Sequence, residues 1–115
     1  WFDAVSSRYG CEITASTEIA ITLLDVLSGE NELKICVSYD IDGEKTKSFP
    51  TTQKLYKAKP EFISMPGWKE DITGVRNFFD LPKNAQNYVD TIEDLINTKI
   101  KYISVGPKRD QLIKR

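Results

Sequence analysis

Two stretches carry residue types that could do chemistry. The first is the apolar run Ile19-Ala20-Ile21-Thr22-Leu23-Leu24-Asp25, which stops at a carboxylate. The second is Ser104-Val105-Gly106-Pro107, which closes another short apolar run over Lys99 to Ser104. A short Ile- and Leu-rich run bounded by polar residues suits a strand buried on both faces. In open α/β sheets, ligands bind beyond the carboxyl ends of such strands. If these two strands are parallel neighbours, Asp25 shares a rim with a loop of backbone N–H groups. Gly106 lets a ligand approach that backbone closely, while Pro107 stiffens it and offers no donor. A carboxylate can accept from two donors side by side, and a backbone N–H can serve an acceptor next to them. Guanine presents that edge: N1–H and the N2 amino group as donors, O6 as acceptor. Adenine places an acceptor where the carboxylate needs a donor, so the pair would discriminate. The competing reading is structural, because many strands end in Asp simply to cap a turn.

Little else in the composition supports chemistry. There is no histidine, which removes Ser-His and Cys-His catalysis, imidazole ligation of metals and histidine pH switching. Cys11 and Cys36 are far apart and lack CxxC spacing, so they read as two buried free thiols and not as a zinc site. Asp90, Glu93 and Asp94 read as the solvated face of a helix. Trp68, beside Pro66-Gly67, reads as a loop anchor packed on the core. The 16 basic and 17 acidic residues leave a net charge of -1, and no global field recommends nucleic acid or an anionic membrane as partner. The basic cluster Lys108, Arg109, Lys114 and Arg115 reads as a solvated tail. No apolar run approaches the ~20 residues of a membrane span. Trp1 opens the chain without Met or a signal-peptide pattern, which reads as a piece of a longer protein.

The elements that must position the two stretches are those of one small α/β domain of 115 residues. Asp3 is a candidate N-cap for a helix carrying Val5, Tyr9 and Ile13 on one face. Leu33 to Ile41 alternates apolar and polar residues, the period of a strand with one buried face. Asp42-Gly43 follows as a type I′ turn, and Glu44 to Phe49 returns, giving a β-hairpin over about 33–49. Thr51 to Ala58 predicts a short helix with Leu55 and Tyr56 inward, broken by Pro60. Glu61 to Met65 predicts a strand. Ala85, Tyr88, Val89, Ile92, Leu95 and Ile96 keep one stripe, the signature of a helix over about 83–97. That helix leads to a final strand at Lys99 to Ser104, followed by a tail anchored through Leu112 and Ile113.

Five blocks occur together in a telling order: Thr22 to Leu27, Glu32 to Tyr39, Pro66-Gly67-Trp68-Lys69-Glu70-Asp71-Ile72-Thr73-Gly74-Val75, Leu81-Pro82-Lys83-Asn84-Ala85-Gln86-Asn87-Tyr88, and Ser104 to Pro107. In order and spacing they resemble the C-terminal part of the adenylosuccinate synthetases, over essentially the whole chain; Arg8 to Ala20 is the least typical segment. The resemblance implies part of a P-loop-NTPase-like α/β sheet. It also implies an enzyme that ligates IMP and L-aspartate to adenylosuccinate at the expense of GTP, with magnesium, as a cytoplasmic homodimer in AMP biosynthesis. The family's catalytic aspartate and histidine, its Gly-rich phosphate loop and its substrate-binding arginines map before Trp1. The segment alone is therefore expected not to catalyse the ligation. What maps onto it is the guanine end of the GTP site: Leu23, Leu24 and Asp25 on one side, Ser104, Val105 and Gly106 on the other. One departure stands out, since the family's lysine is Leu23 here. Leucine keeps the apolar contact of the lysine stem and loses its charge. A non-catalytic remnant or interaction domain with weak nucleotide binding is the alternative.

Overall fold

A computed structural model describes residues 1–115. The longest helix forms where the 3.6-residue stripe predicts it. Helix Lys83–Ile96 buries Ala85, Tyr88, Val89, Ile92 and Ile96. It stops at Asn97, whose φ of 52° is the left-handed cap that Asn tolerates. An earlier helix, Ala4–Ile13, starts at Asp3, whose Oδ1 accepts from the N–H groups of Val5 and Ser6 at 3.0 and 3.1 Å. The other Asp3 oxygen takes the Tyr39 hydroxyl, so one carboxylate ties this helix to the hairpin.

In chain order the elements are β1 (Phe2–Asp3), α1 (Ala4–Ile13), β2 (Glu18–Ile21), a 3-10 turn (Leu24–Leu27), β3 (Glu32–Ile41), β4 (Glu44–Thr46), α2 (Thr52–Leu55), β5 (Lys59–Pro66), a second 3-10 turn (Phe78–Asp80), α3 (Lys83–Ile96), β6 (Lys99–Ser104) and β7 (Leu112–Lys114). They form a mixed α/β fold with two mixed sheets. In the first, β3 pairs antiparallel with β5 and with β4, and parallel with the short β1. The hairpin turn has Asp42 and Gly43 at φ 54° and 88°, both left-handed as type I′ requires. In the second sheet the order is β2-β6-β7, with β2 parallel and β7 antiparallel to β6. One core joins the sheets and α3. It contains Leu33, Ile35, Trp68, Ile72, Val89, Ile92, Ile100, Ile103 and Ile113.

Six expectations are corrected. The run Ile19 to Asp25 is not a single strand buried on both faces: β2 ends at Ile21, alternates exposed and half-buried residues, and has only β6 beside it. The helix after Pro50 does not point Leu55 and Tyr56 inward; Tyr56 is 87% exposed, because a single turn has no neighbour to bury it. Lys99 to Ser104 is not the final strand, and the basic end is not a solvated tail. Leu112–Lys114 forms β7, and Arg115 pairs with Asp90 and Glu93 at 2.7 and 3.2 Å while lying 4.0 Å over the Phe78 ring. Two carboxylates of the supposedly solvated face of α3 are thereby engaged, and Glu93 also accepts from the Ile100 N–H at 2.6 Å. Both cysteines are free, but only Cys36 is buried, and burial pushes its thiol up; Cys11 is half-buried. No helix is long and apolar enough to cross a membrane.

Candidate functional site

The rim of the second sheet is set by the β2–β6 pairing. Glu18 stands opposite Lys99 and Ile21 opposite Ile103, so both strands end side by side. From there the two chains diverge into the stretches that carry Asp25 and Ser104 to Gly106. The parallel arrangement expected from the sequence is the one observed.

On the β2 side, Leu23 adopts φ 60°, ψ 33°, a left-handed conformation that swings the chain from the strand into the 3-10 turn. The Leu23 side chain is 61% exposed, whereas that of Leu24 is 1% exposed and joins the core. Leu24 is thus a peg that fixes the turn, with only its backbone free for other work. The peg presents Asp25 at the start of the turn, which packs against β6. Asp25 Oδ1 is buried and has no hydrogen-bond partner, the one buried side-chain polar atom of the molecule in that condition. An unpaired buried acceptor costs about 1–3 kcal/mol, so it calls for an explanation.

The far end of the turn is fixed by the segment after β5. Trp68 is buried, donates its indole N–H to Ser28 Oγ at 2.9 Å, and packs on Tyr88 with ring centroids 6.0 Å apart. This is the loop anchor expected from the sequence. The Gly29 N–H donates to the Trp68 carbonyl and the Gly67 N–H to the Asn31 carbonyl. A Cβ on Gly67 would lie 2.2 Å from the Glu30 carbonyl oxygen, so this backbone approach requires glycine.

On the β6 side, Val105 is fully buried and donates its N–H to the Gln111 carbonyl at 3.0 Å. Ser104 is half-buried and its hydroxyl donates to the Gly106 carbonyl at 3.1 Å. Gly106 is buried, its N–H donates to no acceptor in the chain, and Pro107 has none to give. One rim therefore carries a carboxylate oxygen without a donor and a backbone N–H without an acceptor. A ligand edge with donor and acceptor groups would complement it. Gln111 was not foreseen as part of this rim. It lay in the stretch read as a tail, and its type alone gives no signal.

No other place in the molecule competes on chemistry. The largest cavity, about 700 Å³, lies by the hairpin tip among Asp42, Lys45, Thr46, Phe49 and Lys54, away from the rim residues. No group of three or more His, Cys, Asp or Glu side chains is placed to hold a metal ion.

The family model "Adenylosuccinate synthetase" matches residues 1–113. The chain belongs to the adenylosuccinate synthetase family. It is 48% identical over 116 residues to the adenylosuccinate synthetase of Desulfitobacterium hafniense and 47% identical over 114 residues to that of Bifidobacterium adolescentis. These alignments cover 100% and 98% of this chain and 27% of each relative, so the chain spans about a quarter of the length of the synthetases it matches. The solved structure of a fully ligated adenylosuccinate synthetase from Plasmodium falciparum superposes with a TM-score of 0.94 at 34% identity, over 100% of this chain and 28% of that one. The fold described here is therefore one piece of the synthetase α/β fold.

Proposed function

We propose that this segment reads the guanine base of GTP for an adenylosuccinate synthetase. In that enzyme, GTP activates the purine oxygen of IMP by phosphoryl transfer and L-aspartate displaces the phosphate, giving adenylosuccinate, GDP and phosphate for AMP synthesis. Magnesium, the phosphate-binding loop and the catalytic acid–base groups belong to the rest of the polypeptide, which acts as a cytoplasmic homodimer. The 115-residue segment supplies base recognition and does not catalyse the ligation alone.

The observation that carries this reading is the buried, partnerless Oδ1 of Asp25. Guanine would satisfy it: N1–H and the N2 amino group donate to the carboxylate, and O6 accepts from the free Gly106 N–H. Leu24 and Val105 contribute by fixing the backbone, Ser104 by holding the Gly106 peptide through its carbonyl, and Leu23 by offering its exposed side chain as an apolar contact to the base face.

The test is Asp25→Asn in the full-length polypeptide carrying this segment. A carboxamide has one acceptor oxygen where two are wanted, and losing a hydrogen bond to a charged group corresponds to about a 10- to 100-fold rise in KM for GTP. Xanthine carries a carbonyl at C2, which the new amide N–H can serve, so XTP should gain relative to GTP. A nucleotide preference identical to that of the native protein removes Asp25 from the site.

One observation favours a second reading. Leu23 is apolar and exposed, as a residue of an interaction surface would be. No saturable preference for guanine over adenine nucleotides in equilibrium titration of the full-length polypeptide would favour that non-catalytic alternative.

A further inference from the structure

The Ser104–Pro107 loop does not hold its shape by itself. Gln111 makes four hydrogen bonds in and around it. Its carbonyl accepts from the Val105 N–H, and its own N–H donates to the Lys108 carbonyl, both at 3.0 Å. Its side-chain Oε1 accepts from the Lys108 N–H at 2.9 Å, and its Nε2 donates to the Thr73 carbonyl at 3.2 Å. The carboxamide also lies where a Gly106 side chain would be: a Cβ there would sit 2.3 Å from Oε1 and 2.7 Å from Nε2. Thr73 in turn is a fixed point, because its carbonyl also accepts from Arg76, which pairs with Asp110 at 3.0 Å. The Val105 and Lys108 N–H groups are thus consumed, Pro107 has none, and the Gly106 N–H stays free.

We infer that Gln111 is a positioning residue for the base-reading loop: its carboxamide packs against Gly106 and locks the loop to Thr73, so that the Gly106 N–H is aimed at the purine 6-oxygen. This rests on the guanine reading of the rim. It assigns the two edges of the base to separate parts of the protein. Asp25 reads the N1–H and N2 amino side, and Gln111, through Gly106, sets the O6 side. A side chain at Gly106 would have to displace the glutamine carboxamide, so the two residues are coupled.

The two assignments separate with GTP and ITP, because hypoxanthine keeps O6 and N1–H and lacks only the N2 amino group. In the full-length polypeptide, Gln111→Met keeps the bulk of the side chain and removes both side-chain hydrogen bonds. It should raise KM for GTP and for ITP by the same factor, about tenfold at most, as expected when one neutral hydrogen bond to O6 is misplaced. The kcat at saturating nucleotide and KM for IMP and for aspartate should hold. Asp25→Asn should instead shrink the preference for GTP over ITP. Gln111→Ala serves the same test if Met overpacks the position. An unchanged KM for GTP in both Gln111 variants, while Asp25→Asn loses its preference, overturns the role of Gln111 and leaves the site standing. A general fall in kcat in both variants, with no selective rise in KM for the nucleotides, also overturns it, by reducing Gln111 to a fold contact. An unchanged GTP-to-ITP ratio in Asp25→Asn overturns the guanine reading and the role of Gln111 with it.

Discussion

Leu23 holds a conformation its side chain disfavours. A non-glycine residue in the left-handed region costs roughly 1–2 kcal/mol, because Cβ crowds the following carbonyl. With the side chain 61% exposed, little burial offsets that cost. Leu23→Gly should therefore stabilise the fold by about 0.5–1 kcal/mol, after allowing for the greater freedom of glycine in the unfolded chain. Urea titration measures it, and an unchanged or lower midpoint would show that the turn carries no strain. Leu23→Lys keeps the backbone strain and adds a charge beside Asp25. It should leave stability within about 0.5 kcal/mol, and it should tighten GTP if the base-reading proposal holds. Residue types made Asp25 and Gly106 legible as candidates, since a carboxylate and a glycine at strand ends have few uses. They could not reveal the twist at Leu23, because nothing in a leucine announces a positive φ. Gln111 was equally silent, since its role comes from Thr73 and Gly106, neither of which is its neighbour in sequence.

At the scale of elements, local periodicity was a good guide, and of the long-range contacts only the parallel β2–β6 pairing was legible. The helix over 83–97, the hairpin turn at Asp42-Gly43 and the strand Lys99 to Ser104 each follow from patterns contained in the element itself. The basic C-terminus was misread because its partners, Asp90, Glu93 and Phe78, lie on other elements. The pairing of β2 with β6 is reinforced by Lys101, which donates to both oxygens of Glu18 at 2.9 and 2.7 Å. That hydrogen bond lowers the Glu18 pKa and raises that of Lys101. A lowered carboxyl pKa gives stability that is present above the ordinary carboxylate range and lost as pH falls through the folded value. A raised ammonium pKa gives stability present below the ordinary lysine range and lost as pH rises through the folded value. The pair therefore contributes on a plateau through neutral pH that ends in acid and in strong alkali. Glu18→Gln should be less stable than the native chain at neutral pH, and the gap should close in strong acid, where Glu18 is protonated. A gap of constant size at every pH would mean that Glu18 acts through packing alone. Ile113→Ala tests the strand that sequence reading took for a tail. Ile113 is fully buried, so the change should cost about 2–5 kcal/mol. A loss under 1 kcal/mol by urea titration would mean that β7 is only loosely docked.

The whole molecule exposes several large apolar side chains. Phe62 and Ile63 on β5, Leu23 and Val26 around the Asp25 turn, and Phe79 beside α3 are all exposed. β2 and β5 each pair with a single strand, so their outer edges are open. Open edges and apolar patches promote association, and the small net charge of -1 opposes it weakly. The 115-residue chain should self-associate most strongly near its isoelectric point of about 5.5. Phe62→Lys, which places a charge on an edge strand, should suppress this. Light scattering against pH checks both statements, and a chain that stays monomeric at pH 5.5 contradicts them.

The parallel pairing of β2 with β6 also has a consequence in time. Its ion pair joins residues 83 positions apart, so the two halves of the rim meet only after a long loop closes. The hairpin and α3 rest on local contacts and can form earlier. Asp25 and the Gly106 N–H are thus expected to come together late in folding, and the proposed base site would be complete only then. A ligand that grips only the finished rim leaves the folding rate unchanged and slows unfolding, so occupancy acts as a kinetic latch on the native state.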